Sequence, residues 1–483
     1  MKALGRKRLL PLALLGAAAL LGLLAQGPAQ AGGPLLVGGG PGGFGTAGQP
    51  FVWSTTSPVS YHTDRGELGN QTTGEADQLV REAFDVWQNV TTASIAFQRA
   101  ADLGLDVNGS NHMNFFKNFI NDCNPPQPPA PANAVNAIVY DDDGQITSDI
   151  FGVGQETMVL GFAGAVCIDP PNTRLTRGRA VLNGLFIDGQ PDPDDPFPSD
   201  PDKSKRKYKE VAIHEFGHLI GLDHSQVNIQ VFDPGGGTAD NLFGLPVMFP
   251  FLIINTPPRV DQGFPALAPD DEAWISFLYP SSTFTTTFGF IEGEILFSDG
   301  VTHVQGGNVI ARQVSDGNAA NGDESRRNAV SVVSGYKFTG NPGQAVTGTN
   351  TGGSIFGSRD PTLIGFYEIP LKPGDYTVEV ESIDPEFTEG SSVGPLGRFA
   401  GEQFPLPGPP EFWNLSESAT DTDPLAPDSV GVSAGSAVSD IDIILNGTPT
   451  RFDAFESSAR LWLREPAPAW LRRQVPFHHD VPA

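Results

Sequence analysis

The chain has 483 residues, which is long enough for two or more domains. Only 18% of the residues are charged, whereas glycine (57) and proline (43) are abundant, a composition that favours a loop-rich, largely β protein over a helical one. The formal net charge of −27 argues against nucleic acid and anionic membrane surfaces as partners, because both are themselves negatively charged.

Residues 1–31 have the pattern of a secretory signal peptide. Four basic residues precede an apolar run from Leu9 to Leu24, and Ala29-Gln30-Ala31 is a cleavage site of the A-x-A type. The exported chain would begin near Gly32; the alternative is a membrane anchor that is not cleaved. No later stretch is long and apolar enough to span a bilayer, so we expect no stable membrane span after cleavage. Residues 32–50, rich in Gly and Pro, should be disordered or extended.

The next 150 residues alternate between strand and helix patterns. Apolar residues recur with a helical period from Gly74 to Trp87, at Ala76, Leu79, Val80, Ala83, Phe84 and Trp87. Short apolar runs predict strands at Val52–Tyr61, Ser94–Phe97, Ala137–Tyr140, Met158–Ala163 and Ala180–Ile187.

Two further features of this region carry possible chemistry. Cys123 and Cys167 are the chain's two cysteines, and in an exported protein they predict one disulfide, with two free thiols as the alternative. Asp141-Asp142-Asp143-Gly144 follows a predicted strand, and Asp141 and Asp143 could bind Ca²⁺. The spacing is not that of an EF-hand, and a solvated turn explains the same residues.

The stretch from Tyr208 to Ser225 carries the strongest chemical signal in the chain. His214 and His218 are four residues apart, so on a helix both imidazoles lie on one face and can bind one Zn²⁺. A glycine three residues later can take the positive φ that ends a helix, which places His224 to complete a three-histidine site. Three protein ligands leave a fourth position for water, the arrangement of a catalytic zinc site.

Glu215 directly follows the first of these histidines. It cannot easily share the metal with them, but it can reach a bound water as a general base and later protonate a leaving amine. A short H-E-x-x-H can occur by chance in a core helix whose histidines hold no metal. The extended form, with G-x-x-H after it and a downstream Met-turn, is far more demanding and is the metzincin signature.

Three pieces of sequence resemble the matrixin (matrix metalloprotease-like) branch of the metzincins. Ser225 follows the third histidine, Pro246-Val247-Met248-Phe249-Pro250 is similar to the family's Met-turn, and Leu267–Tyr279 is similar to its closing helix. One departure is the segment 225–247, which is longer than in animal matrixins and has the composition of an inserted loop.

The resemblance implies an α+β catalytic domain over residues 51–282, with a twisted mixed β-sheet and a zinc-binding helix. Met248 would form the floor under the zinc histidines without binding the metal. The strand Met158–Ala163 would be an edge strand that lines the cleft and pairs with the backbone of a substrate.

After residue 283 the chain changes character. Residues 283–447 contain short β-type runs between Gly, Asn and Asp, which predict an all-β sandwich domain. G-x-I-x-G, G-G-N-V-I-A and G-F-Y-E-I-P-L-K-P-G-D-Y-T-V-E-V resemble the carboxypeptidase-regulatory (transthyretin-like) sandwich. A structural role is the simplest interpretation, with matrix binding or help in export as alternatives. Residues 448–483 form a C-terminal tail.

The sequence therefore predicts a secreted zinc-dependent endopeptidase that acts on protein or peptide substrates, with one catalytic Zn²⁺; it predicts no particular oligomeric state. A competing hypothesis is a secreted adhesion or extracellular-matrix-binding protein whose zinc domain is catalytically idle. The intact Glu215 argues against it, because an idle site has no physical need of a carboxylate there. Another is a zinc hydrolase that acts on a non-peptide amide.

Overall fold

The computed structural model describes residues 33–38, 45–46, 48–190, 200–228, 239–252, 256–304, 306–318, 322–337, 363–383, 406, 410–421, 427–446 and 475–476. The predicted signal peptide lies outside the described residues, as does the predicted C-terminal tail apart from two positions. Within these ranges, no helix combines the length and the apolar character that crossing a membrane requires.

Five strands form one mixed sheet within residues 51–282, the part that we call the first half of the chain. They are β1 (Val59–Thr63), β2 (Phe97–Asp102), β3 (Asn136–Asp141), β4 (Gly161–Asp169) and β5 (Arg174–Asn183). Their order across the sheet is β2-β1-β3-β5-β4. Neighbouring strands are parallel except β4, which runs antiparallel to β5 and forms one edge. This mixed sheet confirms the predicted α+β class.

Helix α1 (Thr73–Gln88) covers this sheet with the apolar face that its sequence predicted. The carboxylate of Glu75 accepts the backbone N–H of Thr72 at 3.0 Å, which satisfies a donor at the start of the helix. Its buried residues are Ala76, Leu79, Val80, Ala83, Phe84 and Trp87. The indole nitrogen of Trp87 donates to the carbonyl of Ile213 at 2.8 Å, which attaches α1 to the helix of the three histidines.

That helix is α4, the longest of the described helices in this half. It spans Pro201–Leu219. Besides α1, the other helices are α2 (His112–Ile120), α3 (Gln145–Phe151), α5 (Ala239–Gly244) and α6 (Pro269–Leu278). Asp200 caps α4 by accepting the backbone N–H of Lys203, and Pro201 occupies its first turn. From Tyr208 onward nearly every residue of α4 is buried, so this half of the helix runs through the core.

Cys123 and Cys167 form a disulfide, so the alternative of two free thiols is wrong. The bond ties the turn after α2 to the edge strand β4. Arg177 of β5 donates to the carbonyl of Phe119 at 2.8 Å and to that of Asn124 at 2.9 Å, and so fixes the same turn. A cross-link closing a loop of this size contributes on the order of 3–4 kcal/mol to the free energy of unfolding.

Some predicted strand boundaries are wrong. The run Val52–Tyr61 becomes a regular strand only at Val59, directly after Pro58, because proline has no N–H to give to a strand ladder. The run Ala180–Ile187 stays extended only to Asn183. The side-chain oxygen of Asn183 accepts the backbone N–H two residues on, which starts a 3-10 turn.

The last third of the chain forms two small sheets, which we call the C-terminal sheets. Their strands are β7 (Gly289–Leu296), β8 (Gly307–Gln313), β9 (Ala329–Val333), β10 (Phe366–Leu371), β11 (Gly374–Ser382), β12 (Glu411–Phe412), β13 (Val430–Val432), β14 (Ala437–Val438) and β15 (Ile443–Ile444). In one sheet the strand order is β10-β7-β14, and β15 also pairs with β7. In the other sheet the order is β12-β11-β8-β9, and β13 also pairs with β11. Two short helices, α7 (Phe284–Thr287) and α8 (Glu324–Arg327), accompany them.

The buried faces of the C-terminal sheets join the core of the first half. Trp274 and Ile275 of α6 belong to the same buried apolar cluster as Ile291 of β7 and Val330 of β9. A further contact links distant parts of the sequence: β6 (Phe251–Leu252) pairs antiparallel with β16 (Val475–Pro476). The two predicted units therefore share one continuous apolar cluster in the described part of the chain.

Candidate metal centre and active site

Three histidine side chains meet at the end of α4. Nε2 of His218 lies 3.0 Å from Nε2 of His214 and 3.1 Å from Nε2 of His224. All three residues are fully buried. In the described ranges, they form the one group of three or more side chains placed to hold a metal ion.

These separations match what a zinc ion requires. Four ligands around Zn²⁺ with Zn–N bonds of 2.0–2.1 Å stand about 3.3 Å apart in a tetrahedron. The two Nε2–Nε2 separations of 3.0 and 3.1 Å differ from this value by only a few tenths of an ångström. The triad therefore fits a zinc site, and three ligands leave one position of the tetrahedron for water or substrate.

The backbone orients two of the imidazoles. Nδ1 of His214 lies 2.7 Å from the carbonyl of Val247, and Nδ1 of His218 lies 2.9 Å from the carbonyl of Leu222. A carbonyl only accepts, so each Nδ1 carries the proton and donates it. Each Nε2 then presents its lone pair toward the centre of the triad, which is the tautomer that a metal ligand needs.

A turn at Gly221 brings the third histidine to the site. Gly221 has φ +97°, a conformation that other residues rarely adopt, and the chain reverses there. The segment after residue 32 supports this turn: Leu35 donates its backbone N–H to the carbonyl of Gly221 at 2.7 Å, and the carbonyl of Gly33 accepts the N–H of Asp223 at 3.1 Å. Gly33 and Leu35, which belong to the predicted 32–50 segment, are thus buried and held by these hydrogen bonds.

Glu215 lies beside the triad and is completely buried. Among the described residues, neither of its carboxylate oxygens has a hydrogen-bond partner. Burial raises the pKa of Glu215 well above its ordinary value, because the charged form is poorly solvated. A cation held by the neighbouring histidines would act in the opposite direction by favouring the carboxylate. The carboxyl group is therefore positioned to gain and lose a proton.

Gly161, the first residue of β4, is a site residue that the sequence did not reveal. A Cβ at this position would lie 3.0 Å from Cγ of Glu215 and 3.0 Å from the carbonyl of Val181. The backbone of β4 and the carboxyl group of Glu215 can pack this closely only because residue 161 has no side chain. A glycine inside a short apolar run gives no local signal of such a contact.

The edge strand begins later than predicted. The sequence predicts a strand at Met158–Ala163, whereas β4 extends from Gly161 to Asp169. Met158 and Val159 give their backbone N–H groups to the carbonyl of Gln155 in the preceding turn, so the strand starts after them. In the part of the chain that the structure describes, no other strand pairs with the outer edge of β4. This edge presents backbone groups that can pair with an extended peptide beside Glu215.

Met248 lies under the histidine helix. Met248 is buried, and a Cβ at Gly217 of α4 would overlap its sulfur atom. The backbone of α4 therefore packs directly against the side chain of Met248. The carbonyl of Met248 accepts the N–H of Ser225 at 2.9 Å. Met248 is thus in contact with α4 and with the residue after His224, and its role as a Met-turn under the zinc histidines stays a prediction.

Asp271 of α6 fixes this segment from the other side. Its two carboxylate oxygens accept the backbone N–H groups of Val247 at 2.8 Å and of Met248 at 3.1 Å. Burial raises the pKa of Asp271 to about 6, and these N–H donors limit the rise. The sequence placed Asp271 in the closing helix without a role, because its partners lie more than twenty residues away.

A cavity of about 50 Å³ opens one turn before His214 on α4. One wall is apolar and includes Val247 and Leu252. The other wall carries a buried ion pair, in which Nζ of Lys207 lies 2.7 Å from a carboxylate oxygen of Glu210. A side chain that enters this cavity therefore meets both an apolar surface and paired charges.

The aspartates of the predicted calcium loop have partners within the protein. Asp141 accepts the backbone N–H groups of Ile146 and Thr147 at 2.9 and 2.8 Å, and Asp143 accepts that of Gln145 at 3.1 Å. These bonds satisfy the first turn of α3. They account for both carboxylates without a cation, and calcium binding at Asp141 and Asp143 stays a prediction.

Comparison with protein families gives one match. The family model described as Matrixin matches residues 52–236, which is less than half of the chain. The matched segment contains β1 to β5, α4 and the three histidines, and it ends before Met248. Neither curated proteins nor solved structures gave a match.

Proposed function

We propose that this chain, whose residues 52–236 form a matrixin-like metzincin catalytic domain, is an exported zinc-dependent endopeptidase that cleaves proteins or peptides. The observation that carries the proposal is the convergence of His214, His218 and His224 beside the buried Glu215. Export is inferred from the signal-peptide pattern of residues 1–31.

His214, His218 and His224 would hold the metal through Nε2. A Zn²⁺ ion held there would supply Lewis-acid chemistry, which lowers the pKa of a water to about 7 and polarises a peptide carbonyl. Glu215 takes a proton from the attacking water as the new carbon–oxygen bond forms. It then delivers this proton to the departing nitrogen as the carbon–nitrogen bond breaks, so that its own charge is restored.

The edge of β4 supports a peptide as the substrate. An extended peptide laid along this edge would satisfy its own backbone groups on those of β4, as an added strand does. The close contact between Gly161 and Glu215 places the beginning of this edge next to the general base. A small non-peptide amide would have no use for such an edge.

The test is cleavage of casein by the exported chain, with and without a zinc chelator. N-terminal sequencing of this preparation should give Gly32 as the first residue. We expect cleavage that the chelator abolishes. Glu215→Gln should lower kcat by about 10²–10⁴-fold, because it removes the proton carrier while keeping the side-chain volume. The zinc content of this variant should stay at one ion per chain.

Glu82→Gln is the matched control. Glu82 lies on α1, at a partly exposed position, and pairs with Lys209 of α4. This variant changes the same chemical group next to the same helix, and its kcat should equal that of the unaltered chain. Full activity of Glu215→Gln would refute the mechanism. A chain that binds one zinc ion and cleaves nothing would favour the idle-domain hypothesis instead.

A further inference from the structure

The third histidine is held differently from the other two. His214 and His218 project from α4, a helix that is fixed by its own hydrogen bonds and by the core. His224 lies on an irregular segment after the turn at Gly221. We call residues 224–228 the ligand arm. Without support, ordering such a segment costs about 1–2 kcal/mol per residue, and this cost would oppose metal binding.

Ser331 of β9 connects the C-terminal sheets to the start of the ligand arm. Its hydroxyl lies 3.3 Å from that of Ser225, the residue that follows His224. Its backbone N–H donates to Asp270 at 2.7 Å, and its carbonyl accepts the indole N–H of Trp274 at 2.9 Å. All four residues are buried. Every polar group of Ser331 thus bonds to the first half of the chain.

The far end of the arm is bound by a second, separate set of contacts. Asn228 is buried and has φ +62°, which is uncommon outside glycine. Its amide nitrogen donates to the carbonyl of Arg326 at 2.6 Å, and its amide oxygen accepts from Arg312 of β8 at 2.6 Å. Arg312 is itself fixed by Glu379 of β11, 2.6 Å away. This network holds Asn228 in its unusual conformation.

An apolar contact lies between these two polar ones. Val227 of the arm is completely buried against Ile310 of β8 and Ala329 of β9. β8 and β9 are antiparallel neighbours, with Arg312 paired to Ala329 and Ile310 paired to Ser331. β8 and β9 therefore contribute to all three contacts with the five residues that begin with His224, and α8 adds the carbonyl of Arg326.

We propose that β8 and β9 are a positioning element for the metal centre, in which Ser331 and Arg312 hold the arm that carries His224. The C-terminal sheets then act as part of the metal-binding unit and not as a separate module attached to it. The inference rests on the proposed zinc site but does not depend on peptide cleavage.

The test is the zinc affinity of the full exported chain, measured by competition with a chromophoric chelator. The variant is Asn228→Gly with Ser331→Ala. Glycine accepts φ +62° and removes only the side-chain bonds, and alanine removes only the hydroxyl. We expect the dissociation constant for zinc to rise about 10–100-fold, as when groups that orient a metal ligand are lost. Raised zinc should restore the activity of this variant.

Lys372→Ala is the matched control. Lys372 pairs with Glu272 of α6 at 2.8 Å and also joins the C-terminal sheets to the first half, but this pair is largely exposed and does not touch the arm. Its zinc affinity should stay within about twofold of the unaltered chain, since exposed ion pairs contribute little. The denaturant midpoint of each chain with chelator present separates loss of folding from loss of metal affinity.

Each remaining outcome decides the question. Unchanged zinc affinity in the double variant would overturn the positioning role. If the double variant does not fold, Asn228→Gly and Ser331→Ala are measured singly, and unchanged affinity in both would overturn it equally. An unaltered chain that binds no zinc would overturn the proposed function, and the inference with it.

Discussion

Glu215, the general base of the proposed mechanism, has little support from hydrogen bonds. Its neighbours in the site are fixed by backbone carbonyls, whereas within the described residues its carboxylate has no such partner. Its position is instead set by packing against the backbone of Gly161. Positioning by packing leaves both oxygens available to a water, which suits a group that must accept and then release a proton.

Gly161→Ala should therefore impair turnover without removing the metal. The added Cβ would lie 3.0 Å from Cγ of Glu215, so the carboxyl group must shift by several tenths of an ångström. Displacements of this order reduce catalysis steeply, and we expect kcat to fall about 10–100-fold. The rate of casein cleavage at saturating substrate measures kcat. The zinc content of the same sample should stay at one ion per chain.

Gly164→Ala on the same strand is the control. A Cβ at this position meets nothing within 4 Å, so kcat should be unchanged even if KM shifts. If Gly161→Ala and Gly164→Ala lose turnover to the same extent, the effect belongs to the strand as a whole. The role of Gly161 in placing Glu215 would then be wrong.

The sequence predicts those site residues whose positions depend on local spacing along the chain. Helical geometry alone brings His214 and His218 to one face, and a glycine signals the turn before His224. Asp271 and Gly161 could not be found in this way. Their importance comes from contacts with Met248 and Glu215, which are distant in sequence, and a single chain shows no pattern that links them.

Between elements, a buried aspartate joins β1 to its surroundings. Asp64 follows β1 and accepts backbone N–H groups from Gly66 at 3.1 Å, from Val107 at 3.0 Å and from Tyr140 of β3 at 3.2 Å. Burial raises its pKa from 3.8 to about 7, although the three donors favour the charged form. Desolvation is the larger effect because the residue has no exposed surface.

This shift predicts a pH dependence of stability. Between pH 3.8 and about 7, folded Asp64 keeps a proton that the unfolded chain has released. The contribution of Asp64 to the free energy of unfolding should therefore fall by about 4 kcal/mol as pH rises through this window, and it should level off above it. Urea unfolding at several pH values measures this slope.

In the Asp64→Asn variant the side chain at this position cannot ionise. The free energy of unfolding of this variant should therefore depend less on pH over the same window. Asp375→Asn, an exposed position in β11, is the control and should keep the slope of the unaltered chain. If the two variants show the same slope, Asp64 does not carry the effect.

The elements themselves were predictable to different degrees. The face of α1 was predicted residue by residue, because a helix of 16 residues repeats its apolar period several times. The strand ends at Val59 and Asn183 were not, since a short apolar run has no periodic signal for where it stops. Those ends are decided by a proline without an N–H and by a side chain that captures a backbone N–H.

Over the whole molecule, the predicted boundary near residue 283 crosses a continuous core. Trp274 of α6 is buried there: its ring lies 6.1 Å from that of Tyr336, and its indole N–H bonds to Ser331. A Cβ at Gly33 would meet this ring at 3.4 Å, so the beginning of the described chain also contacts it. The change in composition at residue 283 marked a change of architecture and gave no indication of a shared core.

A shared core implies cooperative unfolding of both halves. Trp274→Ala should lower the free energy of unfolding by about 3–5 kcal/mol, as expected for the loss of a large buried side chain. Since the ring contacts both halves, the loss should appear equally in each. Hydrogen exchange in peptides from β3 to β5 and from β8 to β11, followed with increasing denaturant, measures the two separately. Both sets should become unprotected at one denaturant concentration in the unaltered chain, and both should shift together in the variant.

Leu415→Ala removes a large apolar side chain that is 78% exposed, and it should leave both transitions in place. Independent halves would give a different pattern, with two transitions in the unaltered chain and a shift of only one of them in Trp274→Ala. That pattern would mean that the apolar contact at α6 is too weak to couple the halves. The ligand arm would then depend on the C-terminal sheets only through the local bonds of Ser331 and Arg312.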